Sequence, residues 1–94
     1  MTVETIPKKE KTSQKKPKIT RPWQVILYND DIHTIDEVIL QVQKATGCSL
    51  MVATQITMEA HFKGKAIAYK GEFADCHQVA GILKEIGLIV EIQG

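Results

Sequence analysis

The chain has 94 residues, 44% of them hydrophobic and 24% charged, with a formal net charge of +1; this is the balance of one small globular domain. No apolar run approaches the roughly 18 residues of a membrane span, and the stretch from Met1 to Arg21 lacks the apolar segment of a secretory signal. The expectation is a small cytoplasmic binding domain, not a multidomain enzyme, a membrane protein or an exported one.

Charge is unevenly spread. Lys8, Lys9, Lys11, Lys15, Lys16, Lys18 and Arg21 face only Glu4 and Glu10, so residues 1–21 carry +5 and the remainder −4. Lys, Thr, Ser, Gln and Pro dominate this segment, which reads as a disordered basic arm. The core domain is expected over 22–94. It opens with Trp23-Gln24-Val25-Ile26-Leu27-Tyr28, an aromatic and β-branched strand in which Trp23, Val25 and Leu27 alternate onto one face. Asn29-Asp30-Asp31 ends it as a turn.

Thr34-Ile35-Asp36-Glu37 has the form of a capping box at a helix start. Ile35, Val38, Ile39, Val42 and Ala45 follow at helical spacing, and Gly47 suits the stop. Ser49 can cap a second helix with Ala53, Ile56 and Ala60 inward, ending near Phe62-Lys63-Gly64. Residues 65–70 read as a second strand broken by Gly71. Residues 72–86 read as a third helix, Gly87 as a left-handed cap, and 88–92 as a third strand. The predicted class is α+β, a two-layer sandwich of order β-α-α-β-α-β with a three-stranded sheet and three helices.

Cys48 and Cys76 form no CxxC pair and are expected to be buried thiols rather than a disulfide. No nucleophile–base arrangement and no glycine-rich phosphate loop stands out, so catalysis is not expected. Asp30, Asp31 and His61 lack any spacing that demands a metal, and no cofactor is expected. The arm has no aromatic residue for base stacking, so a nucleic-acid role is not expected either. The informative segments are Tyr28 to Thr34, polar groups between a strand and a helix, and Glu59 to Lys65, where His61 ends a helix.

In order and about 30 residues apart, the Asn-Asp-Asp turn with its capped helix and the later His61-Phe62-Lys63-Gly64-Lys65-Ala66 resemble the ClpS family. The resemblance covers Trp23 to about Ile92, and its Asn-Asp-Asp-x-x-Thr form looks closer to cyanobacterial and plastid-type members. It implies an adaptor that brings N-degron substrates to a ClpA- or ClpC-type unfoldase, in the cytoplasm or a plastid stroma. An N-degron presents a free α-ammonium, three donors and one charge, and a bulky first side chain. By resemblance Asn29, Asp30 and His61 receive the ammonium, with His61 neutral so that it can accept. Ile35, Val38, Val42, Thr57 and Ala60 match the hydrophobic pocket for the first side chain. Ile35 and Thr57 stand where family members carry methionine and Ala60 where they carry valine; Thr57 and Ala60 remove volume, which implies a larger or more polar pocket, whereas Ile35 is stiff at χ1. Glu72 and His77 fall at the unfoldase-docking positions, and the arm corresponds to the family's N-terminal extension. The implied partners are the unfoldase N-domain and N-degron peptides, with no membrane or nucleic acid, and a monomer is expected. The alternatives are an unfoldase-docking modulator that reads no N-degron, and a ribosome-associated structural protein.

Overall fold

The computed structural model describes residues 21–94. The basic arm expected over 1–21 therefore lies outside the described residues except for Arg21. The elements are strand β1 (Trp23–Tyr28), helix α1 (Ile35–Thr46), helix α2 (Leu50–Lys63), strand β2 (Lys65–Gly71), helix α3 (Phe73–Lys84) and strand β3 (Val90–Gln93). The sheet is antiparallel with β1 central, in the order β2-β1-β3. This is the α+β arrangement of three helices and three strands that the sequence predicts.

Local chemistry sets the boundaries of α1. Thr34 accepts the Glu37 amide at 3.1 Å, and Glu37 accepts the Thr34 amide at 2.8 Å. Two of the helix's orphan donors are satisfied reciprocally. Gly47 closes α1 in the left-handed region at φ 75°, its amide bonded to the Gln43 carbonyl at 2.8 Å. Ser49 caps α2 through the Val52 amide, and Gly64 ends it at φ 94°.

Two predicted boundaries shift by two residues. The third helix ends at Lys84, not Ile86, and the last strand starts at Val90, not Leu88. The Glu85 amide bonds the Ile82 carbonyl and the Gly87 amide the Lys84 carbonyl. These i→i+3 bonds tighten the chain into a turn before the β3 ladder begins. Apolar Ile86 and Leu88 extend the pattern on either side, although only Leu88 is buried.

The core lies between the helices and one face of the sheet. Val25, Leu27, Val42, Ala53, Cys76 and Leu83 are essentially inaccessible there. Ile26 faces the opposite side, level with Ile67 on β2 and Glu91 on β3. One β2 residue, Ala68, is extra in the ladder: Val25 pairs with Tyr69 and Ile26 with Ile67. This bulge keeps Ala66 and Ala68 both buried beneath α2 and lets Tyr69 pack against the core. Cys48 is half-buried rather than buried, Cys76 is buried, and both are free thiols.

Candidate functional site

One main-chain bond assembles the site. The Asn29 amide, just past the end of β1, donates to the Gly64 carbonyl at the end of α2 at 2.9 Å. That contact brings the Asn-Asp-Asp turn beside the last turn of α2, which carries Ala60 and His61. Between them is a hollow lined by Leu27, Tyr28, Asn29, Asp30, His33, Ile35, Val38, Thr57, Ala60 and His61. Its free volume is about 20 Å³, enough for about one ordered water. Thr57 and Ala60 both lie on its lining.

Seven of the sequence-predicted site residues line this hollow: Asn29, Asp30, Ile35, Val38, Thr57, Ala60 and His61. Val42 does not. It sits one helical turn past Val38, fully buried in the core. His33 joins the lining and was not singled out by the sequence reading, although it lies within the informative turn. Tyr28 contributes at the strand end, but its hydroxyl points to the other face of the sheet and donates to Glu91 at 2.6 Å.

The polar groups divide by whether they are already used. Asn29 donates its side-chain amide to Asp31 Oδ1 at 3.2 Å. A carboxylate can only accept, so this bond fixes which way the amide is turned. The Asn29 carbonyl oxygen is left buried with no partner.

Asp30 is heavily engaged. Its Oδ1 accepts the Ile32 amide at 2.6 Å and the His33 amide at 3.3 Å, and its Oδ2 takes the His33 ring Nδ1–H. An ionised carboxylate offers about four acceptor positions, so roughly one remains, on Oδ2. Burial pushes the Asp30 carboxyl up. The Ile32 amide, the His33 ring and the His33 amide together outweigh that and hold it below the ordinary value. The Asp30 hydrogen bond is the main cause that raises the His33 imidazole. Burial opposes it, and the Asp30 charge, the Ile86 carbonyl and Glu37 add to it. Each of these acceptors favours the protonated ring over the neutral one.

His61 is exposed, its ring edge-on to Phe62 at 5.0 Å. Thr57 is 3% exposed, and its hydroxyl also has no partner. The two orphaned buried side-chain atoms among the described residues thus belong to one hollow. Among the described residues no three His, Cys, Asp or Glu side chains converge as metal ligands, and no helix is long and apolar enough to cross a membrane.

Glu72 and His77 lie away from the hollow. Glu72 is the residue before α3 and makes no side-chain capping bond, and both side chains are exposed. Between them in sequence, Phe73 packs edge-on to Trp23 at 5.0 Å and lies 6.1 Å from the His77 ring. Phe73 is 47% and Trp23 40% exposed. This aromatic pair beside the two nominated residues was not foreseen as a surface feature.

Residues 18–88 match the family model described as ATP-dependent Clp protease adaptor protein ClpS. The chain is 33% identical over 69 residues to the ClpS adapter of Vibrio atlanticus, covering 71% of this chain and 62% of that protein. It is 37% identical over 59 residues to the ClpS adapter of Vibrio cholerae, covering 63% and 53%. The chain thus spans between half and two-thirds of the length of these curated relatives. Among solved structures, Agrobacterium tumefaciens ClpS2 bound to L-phenylalaninamide is similar at a TM-score of 0.72 and 20% identity, over 78% of this chain and 95% of that one. At that identity the likeness is one of fold.

Proposed function

The chain belongs to the ClpS family, and from that premise we propose that it is a non-enzymatic adaptor that binds the amino terminus of an N-degron and delivers it to a ClpA- or ClpC-type unfoldase. The observation that carries this reading is the orphaned Asn29 carbonyl oxygen. A buried acceptor without a partner is costly, and an ammonium supplies donor and charge together. Asp30 adds one open acceptor position and a negative charge beside it. His61, when neutral, adds an acceptor nitrogen from the other wall. Ile35, Val38 and Ala60 give the adjoining apolar lining for the first side chain. Glu72 and His77 are the proposed unfoldase contacts, and the segment 1–21 the proposed extension that engages it.

A docking adaptor that reads no N-degron is the second reading. The small free volume of the hollow favours it, since a bulky side chain enters only if the lining moves. Fluorescence anisotropy separates the two. Labelled peptides beginning with Leu, Phe, Tyr, Trp and Ile, with N-acetyl-Phe as control, are titrated with the full chain and with His61→Ala and Asn29→Ala. The adaptor reading expects micromolar or tighter binding that is lost on acetylation and falls at least tenfold in each variant. Absence of binding by every peptide leaves the docking-only reading.

A further inference from the structure

The helical hairpin contains three threonines that could bond their own helix. Thr46 donates its hydroxyl to the Val42 carbonyl and Thr54 to the Leu50 carbonyl, each at 2.8 Å. This i−4 back-bonding is the usual way a helical threonine satisfies itself. Thr57, three residues after Thr54 on the same helix, makes no such bond. Its hydroxyl is buried and unpartnered, in a hollow whose neighbouring lining is Leu27, Ile35, Val38 and Ala60. The other orphan there, the Asn29 carbonyl, suits an ammonium. The Thr57 hydroxyl is left for a different group.

We propose that Thr57 is the specificity-determining residue of the hollow. It selects N-terminal residues whose side chain carries an O–H or N–H over carbon-only residues of the same shape: tyrosine over phenylalanine, threonine over valine. This rests on the amino-terminus-binding reading. Without ligand, the hollow has room for about one water, which can satisfy the hydroxyl. An apolar side chain displaces that water and leaves the hydroxyl unpaired in the complex. A side chain with its own polar hydrogen replaces the bond it removes. Whether a long or a short side chain fits does not alter the logic, because each comparison is made within a matched pair.

The test uses the full chain, Thr57→Val and Thr57→Ser. Valine keeps the shape and deletes the hydroxyl, whereas serine keeps the hydroxyl and deletes the methyl group. Peptides identical after the first residue begin with Tyr, Phe, Thr or Val, and each also has an N-acetylated form. In the unaltered protein the polar member of a binding pair is expected to be about three- to tenfold tighter. That ratio persists in Thr57→Ser and falls to one or below in Thr57→Val. Equal affinities within each pair, or a ratio that Thr57→Val leaves unchanged, overturn the proposal while the amino-terminus reading stands. If no peptide binds, or acetylation changes nothing, the amino-terminus reading fails and the proposal falls with it.

Discussion

Asp30 and His33 show how much a single turn can ask of two side chains. Asp30 closes the turn on two amides and holds the His33 ring, whose Cε1 would lie 3.9 Å from a methyl group added at Gly87, before β3. The pair sits where the start of α1 meets the segment after α3. The raised His33 value means that folding favours the imidazolium. Its stabilisation is complete below the ordinary 6.5 and is lost as pH rises through the raised value. The lowered Asp30 value works in the other direction: its share is present above the ordinary 3.8 and is lost as pH falls through the lowered value. The pair therefore contributes most between those two ordinary values. Urea unfolding of the protein and of His33→Asn should show a gap in midpoint at pH 5.5 that narrows by pH 8.5. A gap of the same size at both pH values would mean that His33 acts by packing alone. When protonated, the same ring offsets part of the charge on the carboxylate proposed to face an ammonium, so His33 belongs to the electrostatics of the site.

Of the three positive-φ glycines, Gly47 and Gly64 cap α1 and α2, Gly87 lies in the turn after α3 rather than capping it, and Gly64 makes the main-chain bond to Asn29. At φ 94° it allows α2 to stop where its carbonyl can accept the Asn29 amide. A methyl group added there meets nothing within 4 Å, so the cost of Gly64→Ala is backbone strain rather than a clash. That strain is about 1–2 kcal/mol in the left-handed region. Gly81 makes a matched control. It is an exposed glycine inside α3, also with open space around an added methyl, and alanine there should stabilise by about 0.5–1 kcal/mol. Opposite signs in denaturant midpoints are the expected result; two losses of equal size would mean that the left-handed geometry is not the cause. The caps at Thr34, Gly47, Ser49 and Gly64 were legible in the sequence because each is decided within four residues. The end of α3 was not, because the apolar Ile86 continues the pattern while the tight turns at Glu85 and Gly87 interrupt it.

At the scale of the whole molecule, what the sequence could reveal depends on whether a contact is local. Asn29, Asp30 and His61 became candidates through the family resemblance of the two segments that carry them. The approach of Asn29 to Gly64, the pairing of His33 with Asp30 and the unused hydroxyl of Thr57 all depend on how β1, α1 and α2 come together. The same topology separates the two proposed surfaces. Trp23, at the start of β1, pairs with Gly71 of β2, and Glu72 follows directly. Asn29 lies past the other end of β1. Six strand residues at about 3.3 Å each put the two ends roughly 20 Å apart, far enough for substitutions to act independently. Around Glu72, the exposed Trp23–Phe73 pair offers apolar area between Glu72 and His77, and a side chain added at Gly94 would run into the Trp23 ring. An apolar centre with charge at its edge is a common form of a protein-binding surface. Glu72→Lys should therefore weaken association with the unfoldase N-domain about tenfold, through a charge placed against its complement, and leave peptide affinity within about twofold. His61→Ala should do the reverse. Calorimetric titration of both variants against the N-domain and against a Tyr-initiated peptide reads all four values. If Glu72→Lys weakened both associations together, the two surfaces would be coupled or the docking site misplaced. A clean exchange of losses would instead assign peptide reading to one end of β1 and unfoldase docking to the other, leaving both partners room to bind at once.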